Sequence, residues 1–571
     1  MRLRLALAVA LSALLGAAPA HAAQVSQNIR FTASDGDSLQ TTISGEAPLG
    51  PRPVIVEFSP YGRGSGTLDP GPDYNFLLVQ TRGTGDSDGR FDALGPRTQA
   101  DVAEVLRWAC GQPWSDGSLG LNGFSASAIT VYNSLHEQLP CVKAAILKSG
   151  TFELYRDLIW PGGINNLAPA AGVMGLIGAP ALEQGGDRLK RNPASGADVA
   201  LGLNQAGLSG LLHSTLDSWW KERGFRGDVN HLPILMIDGF FDVESRGAFQ
   251  GYQQLRGDGA HLAVVGGHDG APAGTDAGVG EARAWLDRYV RGIGNGVEDH
   301  KKVQLWLSDG RREDYLKGQF VRYDGDDWPV PGTRWASLNL DPARAGGGHS
   351  LNDGSLTIAA PSASARQSFA ALPSPPNAAD VPNAAIVGAS GANAITGPLP
   401  VLTNMTTAEP LGLGYTTRPF ASDVLSAGPA SLELRLSTTA PETGIWVVIS
   451  DVAPDGTANP VATGRLSTAY PDVDVGRSLR DPDTGAIVQP YGDYSRKSPA
   501  TPGRERLYRI ELWPIGNRFR AGHRLRVHVL GASAASMPQT PSIDTARVGA
   551  GSGSRLLLPV LPGSDLRDAL R

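Results

Sequence analysis

A serine flanked by small residues follows a short apolar run in Leu119-Gly-Leu-Asn-Gly-Phe-Ser-Ala-Ser-Ala128. We interpret this stretch as a nucleophile elbow, a sharp strand-to-helix turn that presents Ser125 as an attacking group. The turn requires small residues two positions before and after the serine. Gly123 meets this requirement fully, and Ser127 meets it in part. The pattern alone is weak, because a serine in an ordinary tight turn has the same appearance.

A serine hydroxyl becomes a useful nucleophile when a histidine takes its proton and a carboxylate orients that histidine. On an α/β-hydrolase sheet these partners follow in the order serine, acid, histidine, each at the carboxyl end of a strand. Asp242 and His268 match both the order and the location, although either one alone could be a turn or loop residue. His261 also follows Asp242, but it opens a strand and belongs at the opposite edge. The sequence therefore predicts Ser125, Asp242 and His268 as a catalytic triad.

The pattern of strands and helices predicts where these residues lie. Apolar strands alternate with helices in residues 23–150 and again in 231–300, as in a parallel sheet covered on both faces. Residues 151–230 interrupt this alternation with short helix-like pieces, which indicates a helical cap over the active-site edge. Short alternating runs from residue 301 to 571, beginning with Val303–Leu307, predict an antiparallel β-sandwich of jelly-roll type.

The composition is that of a globular protein of two or three domains. The chain has 571 residues, a formal net charge of −6 and 41% hydrophobic residues. Residues 1–22 combine a basic start, an apolar run and a small-residue site ending at Ala22, which predicts a signal peptide and an exported protein, periplasmic or secreted. The apolar run is short for an uncleaved membrane anchor. The negative balance disfavours nucleic acid and membrane surfaces as partners of the mature chain.

Cys110 and Cys141 are the only cysteines. In an oxidising compartment two cysteines favour a disulfide, although two buried thiols are the alternative. The sequence contains no H-E-x-x-H motif, no paired C-x-x-C motif and no complete EF-hand loop, so we expect neither a metal nor an organic cofactor.

Several motifs together resemble the cocaine esterase / X-prolyl dipeptidyl-peptidase family of α/β-hydrolases, which includes α-amino acid ester hydrolases. They are Ser59-Pro-Tyr61, Thr81-Arg-Gly-Thr-Gly-Asp-Ser-Asp-Gly89, Gln112-Pro-Trp114, Gly123-Phe-Ser125, Trp219-Trp-Lys-Glu-Arg223, Gly239-Phe-Phe-Asp242, Gly414-Tyr-Thr-Thr417, Glu511-Leu-Trp-Pro514 and Phe519-Arg-Ala-Gly-His-Arg-Leu525. The resemblance implies an α/β-hydrolase domain with a helical cap, followed by a jelly roll. It implies the same triad, and it implies that the Tyr61 hydroxyl and the Ala126 backbone N–H form the oxyanion hole. Ser127 and the approach Gly266-Gly267 to the base depart from the usual family pattern.

The resemblance also suggests how a substrate would be held. In family members that act on α-amino acid esters or N-terminal dipeptides, acidic side chains bind the substrate ammonium, and Glu244 and Asp157 occupy similar positions. The alternative is that these acids are structural, for example as partners of Arg156 or Arg246. Trp160 is a candidate for the acyl pocket, or a cap residue that packs on the sheet.

These observations predict an exported serine hydrolase that cleaves ester or amide bonds of small acyl substrates through an acyl-enzyme. An X-Pro dipeptidyl-peptidase, which requires a free N-terminus, is the enzymatic alternative. A binding protein that recognises carbohydrate or a cell surface on an inactive hydrolase scaffold is the alternative of another class. The expected partner is a small ester, an amide or a short peptide. The sequence does not decide between a monomer and a homo-oligomer.

Overall fold

Two large β-sheets organise the chain, and a computed structural model describes them within residues 23–571. Not described within that range are residues 138, 140, 167–176, 194, 228–231, 243, 257–258, 268–278, 312–313, 315–316, 372–403 and 532–538. The predicted signal segment, residues 1–22, and the predicted base His268 therefore lie outside the described residues.

The first sheet has the strand order β1-β2-β4-β3-β5-β6-β7-β8-β9-β10. Its strands are β1 (Gln24–Thr32), β2 (Ser38–Glu46), β3 (Arg52–Ser59), β4 (Asn75–Gln80), β5 (Ser115–Phe124), β6 (Val142–Lys148), β7 (Ile234–Asp238), β8 (His261–Val265), β9 (Val303–Leu307) and β10 (Val321–Gly325). Neighbours from β4 to β9 pair in parallel, whereas β1 and β10 pair antiparallel at the two edges. The carboxyl ends of the parallel strands thus meet along one edge, where α/β sheets hold their ligands.

Helices cover both faces of this sheet. The α-helices are α1 (Pro96–Cys110), α2 (Ala126–Ser134), α3 (Ala179–Gln184), α4 (Gly186–Arg191), α5 (Ser195–Leu212), α6 (Ser218–Lys221), α7 (Ser245–Leu255), α8 (Val279–Tyr289) and α9 (Leu566–Ala569). Val54 and Val56 of β3 belong to the apolar cluster that includes α1 and α2, while Ile55 belongs to the cluster with Trp285 and Leu286 of α8. A strand buried on both faces is apolar at successive positions, which explains its continuous hydrophobic run.

The two cysteines are joined on the α1 side of the sheet. Cys110 ends α1 and Cys141 directly precedes β6, with their Cα atoms 6.2 Å apart. The predicted disulfide is formed, and it links α1 to the strand that follows the elbow helix α2.

The cap comprises α3 to α6 and a π-helix at Tyr155–Ile159, and it lies over the carboxyl edge of the sheet. Ala181 of α3 and Leu203 of α5 share an apolar cluster with Ile129 of α2, and Tyr61 packs against the same cluster. No helix in the described part of the chain is both long and apolar enough to cross a membrane.

The second sheet forms the C-terminal β-domain. Its strands are β11 (Arg334–Arg344), β12 (Gly354–Thr357), β13 (Ser364–Ala371), β14 (Leu413–Thr416), β15 (Val424–Thr438), β16 (Gly444–Val452), β17 (Ala458–Ser467), β20 (Arg506–Phe519), β21 (Arg524–Leu530), β22 (Ser542–Gly549) and β23 (Arg555–Val560), with β18 (Leu479–Arg480) and β19 (Ile487–Gln489) as a separate pair. β23 pairs with both β11 and β15 and so closes the sheet on itself. Leu432, Leu434 and Leu436 of β15 point into the core that this closure encloses.

The boundary between the two domains differs from the prediction. Val303–Leu307 was expected to open the jelly roll, but as β9 it pairs in parallel with β8, and β10 extends the first sheet further. The first sheet therefore continues past the predicted boundary at residue 301 and ends at Gly325. A five-residue apolar strand has the same pattern in either sheet, so only its hydrogen-bonded neighbours distinguish the two placements.

The two domains are in direct contact beside the edge that carries the predicted triad. A Cβ atom placed on Gly516 of β20 would lie 2.2 Å from the ring of Phe240, so the ring rests on the bare backbone of the β-domain. Ser308 donates its N–H to the Gly516 carbonyl at 3.0 Å, and Arg518 donates to the Ser308 carbonyl at 2.6 Å. The segment after β7 is thus packed against the second domain.

Candidate active site

Ser125 occupies a strained turn between β5 and α2. Its backbone has φ 53° and ψ −125°, a conformation that residues other than glycine rarely adopt. A Cβ atom on Gly123 would lie 2.6 Å from the Cα atom of Ala128, so glycine is required for the helix to approach the strand. Ser127 lies buried in the first turn of α2 at an ordinary negative φ, which is why a serine is accommodated there. This geometry is that of a nucleophile elbow.

The structure brings Tyr61 to the same turn. The N–H of Ala126, the first residue of α2, donates to the Tyr61 hydroxyl oxygen at 3.0 Å, and the hydroxyl is also within hydrogen-bonding reach of Ser125. The loop after β3 is held by Ser59, whose hydroxyl accepts from the Tyr61 N–H at 3.2 Å and donates to the Arg63 carbonyl at 2.5 Å. A hydroxyl and a helix N-terminal N–H therefore converge beside Ser125.

Tyr61 keeps its proton at neutral pH. Burial raises the pKa of its hydroxyl to about 12, even though hydrogen bonds with Ser125 and Ala126 act in the opposite direction. The negative charges of Glu244 and Glu57 raise that pKa further. A protonated hydroxyl next to a backbone N–H provides two donors for an oxygen that gains negative charge.

Asp242 lies in the turn between β7 and α7, which packs against the residues that follow β8. Its carboxylate is 1% exposed and accepts the N–H of Glu244 at 2.9 Å. A Cβ atom on Gly239 would lie 2.3 Å from the carbonyl oxygens of both Gly266 and Gly267, so this turn rests directly on the end of the next strand. His268 follows Gly267 in sequence and lies outside the described residues, so its role as the base stays a prediction.

Asp157 does not face a substrate site. It is fully buried, its carboxylate accepts from the Thr151 hydroxyl and from the N–H of Glu153 at 3.1 Å, and it forms an ion pair with Arg246. Arg246 also contacts Glu511 of the β-domain at 3.0 Å. The structural alternative considered for Asp157 is therefore the one that the geometry favours, because both of its oxygens are already used within the protein.

Trp160 likewise serves the packing of the cap. It is 9% exposed, its indole N–H donates to the Gly210 carbonyl at 2.6 Å, and its ring stacks on Tyr155 with centroids 6.4 Å apart. It belongs to the apolar cluster that joins the cap to the β-domain. The structure places it as a packed cap residue, but against the β-domain and not on the first sheet as the structural alternative had it.

Glu244 is the remaining substrate-binding candidate. It is the N-cap residue of α7 and is 3% exposed. Its negative charge raises the pKa of Tyr61 and contributes, after burial, to the raised pKa of Tyr132. Of the two predicted carboxylates, Glu244 is thus the one whose charge acts on the oxyanion region.

Two buried acids near this edge were not singled out from the sequence. Glu57 in the middle of β3 accepts the Ser65 N–H at 2.6 Å, the Ser65 hydroxyl at 3.0 Å and the Asn122 amide at 2.7 Å, and burial raises its pKa. Asp238, the last residue of β7, lies within hydrogen-bonding reach of Asp242. An ionisable residue inside an otherwise apolar strand was the available signal for both.

No cluster of three or more histidine, cysteine or acidic side chains suited to a metal ion occurs among the residues with described positions. The chemistry that this arrangement can perform is nucleophilic attack by a serine on a carbonyl, with two donors ready for the developing oxyanion.

Comparison with known proteins supports this assignment along most of the chain. The family model for X-Pro dipeptidyl-peptidase (S15 family) matches residues 35–269, and that for the X-Pro dipeptidyl-peptidase C-terminal non-catalytic domain matches residues 295–552. The cocaine esterase of Rhodococcus sp. is 22% identical over 557 residues, which cover 88% of this chain and 90% of the esterase.

Solved structures show the same fold. A CocE/NonD family hydrolase from Staphylococcus aureus superimposes with a TM-score of 0.73 at 18% identity, covering 94% of each chain. An α-amino acid ester hydrolase superimposes with a TM-score of 0.72 at 18% identity, covering 96% of this chain and 98% of the other. With two matching family models, a relative along its length and this shared architecture, the chain belongs to the cocaine esterase / X-prolyl dipeptidyl-peptidase family of α/β-hydrolases and is a serine hydrolase.

Proposed function

We propose that the protein is an exported serine hydrolase that cleaves small acyl esters through a triad of Ser125, Asp242 and His268. One observation carries the proposal: a serine at positive φ lies immediately before a helix whose first N–H meets a tyrosine hydroxyl. That combination supports a nucleophile with two oxyanion donors beside it, which is what acyl transfer requires.

The proposed reaction has two halves. His268 accepts the Ser125 proton while the serine oxygen attacks the substrate carbonyl, and the carbonyl oxygen becomes an oxyanion held by the Tyr61 O–H and the Ala126 N–H. Collapse expels the alcohol, which takes the proton from the histidine, and leaves an ester between the acyl group and Ser125. Water then repeats the sequence and releases the acid. Asp242 orients the histidine and stabilises its cationic form in both halves.

The ground-state hydrogen bond between Ala126 and Tyr61 fits this sequence of events. Before substrate binds, the Ala126 N–H donates to the tyrosine oxygen at 3.0 Å. When an oxyanion forms between them, both groups can donate to it instead. Formation of the oxyanion thus exchanges the hydrogen bond between Ala126 and Tyr61 for two hydrogen bonds to the oxyanion.

Labelling with a fluorophosphonate probe tests the proposed nucleophile. The wild-type protein should be labelled at a single serine and lose esterase activity in proportion, whereas Ser125→Ala should neither label nor hydrolyse. Ser127→Ala is the matched control, since Ser127 is buried two residues further on, and this variant should still label. Labelling of Ser125→Ala, or absence of labelling in the folded wild type, would refute the proposed nucleophile and leave the binding-protein alternative.

We also propose that Glu244 gives the enzyme a preference for esters with a free α-amine. The comparison is kcat/KM on an amino acid methyl ester against its N-acetylated form. A charge-assisted contact is worth about 1.5–3 kcal/mol, so the ratio should be roughly 10- to 100-fold in favour of the free amine. Glu244→Gln should remove this preference.

Asp157→Asn serves as the matched control for the amine preference. Because Asp157 is paired with Arg246, this variant should lower the melting temperature and leave the ratio between the two esters unchanged. A ratio near one in the wild type would indicate a general carboxylesterase. Hydrolysis of X-Pro dipeptidyl amides in preference to esters would favour the peptidase alternative, the activity for which the matching family is named.

Export is part of the same proposal. It is supported by the pattern of residues 1–22 and by the Cys110–Cys141 disulfide, since structural disulfides persist in oxidising compartments. N-terminal sequencing of the protein from the periplasm or the medium should give a chain that begins at Ala23. An uncleaved chain in the cytoplasmic fraction would contradict export.

A further inference from the structure

The acid of the proposed triad has a second carboxyl group beside it. Asp238 ends β7 and is completely buried, and its Oδ1 atom accepts the Gly239 N–H at 2.6 Å. Its side chain lies within hydrogen-bonding reach of the Asp242 carboxylate, only four residues further along the same turn. Two carboxyl groups are thus in contact inside the protein, at the point where the catalytic acid is held.

The second oxygen of Asp238 shows which protonation state fits. Among the described residues, no donor reaches the buried Oδ2 atom. An ionised carboxylate would leave this buried oxygen without a hydrogen bond from any described residue, which is unfavourable. A proton on the Asp238 carboxyl removes that cost, because the group then becomes a donor and the nearby Asp242 carboxylate is an acceptor.

The surrounding charges act in the same direction. Burial, then the negative charges of Asp242 and Glu244, raise the pKa of the Asp238 carboxyl well above its ordinary range. The buried Tyr132 hydroxyl of α2 lies near Asp238 and Glu244, and burial, then these two acids, raise its pKa. Among the described residues, the titratable neighbours of Asp238 are therefore acids and a phenol, which favour a neutral carboxyl.

We propose that Asp238 is a positioning residue that retains its proton and donates a hydrogen bond to Asp242. Resting on the proposed triad, this assigns the Asp242 carboxylate two fixed donors, the Glu244 N–H and the Asp238 hydroxyl. A carboxylate has about four lone-pair sites, so acceptor capacity is left for the histidine. Asp238 does not touch the substrate, and it acts by setting the orientation and the charge of Asp242.

Two substitutions separate a donor from a charge. Asp238→Ala removes the donor, and kcat/KM on p-nitrophenyl acetate should fall roughly 10- to 100-fold, as is usual when a supporting hydrogen bond to a catalytic group is lost. Asp238→Asn keeps an N–H donor in the same place and should recover most of that loss. An asparagine variant as impaired as the alanine variant would overturn the proposal.

The pH profile tests the charge directly. The acid limb of kcat/KM reports the pKa of the base in the free enzyme, and a negative charge beside its partner would raise that pKa. If Asp238 is neutral, the limb of Asp238→Asn coincides with that of the wild type. A limb displaced downward by about 1 pH unit would mean that Asp238 is ionised, contrary to the proposal.

A stability measurement tests the same proton without any activity. A carboxyl with a raised pKa in the folded state loses free energy of unfolding as pH rises above its unfolded pKa, near 3.9. The melting temperature of Asp238→Asn relative to wild type should therefore increase between pH 5 and pH 8. Asp314→Asn is the matched control: Arg311 lowers the pKa of Asp314, so its difference from wild type should be constant in this range.

The outcomes distinguish failure of this inference from failure of the proposed function. A constant melting-temperature difference for Asp238→Asn would overturn the proton on Asp238, whatever the activity. A wild type that neither labels nor hydrolyses esters would overturn the proposed function, while the pH dependence of stability would still decide the protonation of Asp238.

Discussion

Replacing Tyr61 with phenylalanine removes one of the two proposed oxyanion donors and leaves the ring in place. The hydroxyl accepts the Ala126 N–H at 3.0 Å and is the proposed side-chain donor to the oxyanion. Loss of one such donor costs about 2.7–4 kcal/mol in the transition state, which is about 100- to 1,000-fold in kcat. Because the oxyanion exists only after attack, KM should change little.

The assay is steady-state hydrolysis of p-nitrophenyl acetate, with the melting temperature measured on the same preparations. Tyr74→Phe is the matched control. The Tyr74 hydroxyl donates to Asp287 at 2.8 Å on the face of the first sheet covered by α8, so its loss removes a comparable hydrogen bond away from Ser125. This control should retain the kcat of the wild type.

A Tyr61→Phe enzyme with kcat within a few-fold of wild type would refute the reasoning. Tyr61 would then be a residue that fills space at the end of β3, and the Ala126 N–H would need a different second donor. A large rise in KM with an unchanged kcat would also contradict it, because the hydroxyl would then contact the ground state.

Three further predictions concern stability. Cys110→Ser combined with Cys141→Ser should lower the free energy of unfolding by about 4 kcal/mol, measured by urea denaturation, because the disulfide closes a loop with a sequence separation of 31 residues. Arg246→Met should cost about 3–5 kcal/mol by the same measurement, because it leaves the fully buried Asp157 carboxylate without its arginine partner and removes the contact with the partly buried Glu511. Burial lowers the pKa of His528 to about 3, so the native state binds fewer protons than the unfolded chain below about pH 6.5. Relative to His528→Gln, the wild type should thus lose about 1.4 kcal/mol per pH unit as the pH falls from 6.5 towards 4.

Each of these has a result that would contradict it. An unchanged denaturation midpoint in the double serine variant would mean that the disulfide does not restrict the unfolded chain. For Arg246, the comparison is Lys190→Met, which breaks an exposed ion pair with Asp187 and should have no measurable effect. Equal effects of the two variants would contradict the buried network. For His528, parallel pH profiles of variant and wild type would show that this histidine does not titrate between the folded and unfolded states.

Features that depend on a few consecutive residues could be predicted best from the sequence. The elbow at Ser125 depends on a turn of a few residues, and its glycine and serine are visible directly in the sequence. Buried strands such as β3 were equally clear, because a strand covered on both faces is apolar at successive positions. The fold class and the placement of the cap follow from these local patterns together with the family motifs.

Features set by partners distant in sequence could not be predicted in the same way. Asp157 forms its ion pair with Arg246, a residue 89 positions away. The sequence offered this pairing only as one of several alternatives, because no residue near Asp157 decides between them. β9 belongs to the first sheet because it pairs in parallel with β8. The five residues of β9 alone do not indicate this pairing. An aspartate at the end of an apolar strand, such as Asp238, is commonly a turn or helix-capping residue. Its contact with Asp242 depends on how the turn at Gly239 folds back.

The close contact between Gly516 and the Phe240 ring limits how this chain can be truncated or combined with other domains. Any larger side chain at that position would push on the turn that holds Asp242, and removal of the β-domain would expose the ring to water. The β-domain contains no proposed catalytic group, but it supports the turn that carries the proposed acid Asp242. A shortened enzyme that lacks the β-domain, or a chimera that carries a different β-sandwich, would therefore lose the contact that holds Asp242 in position.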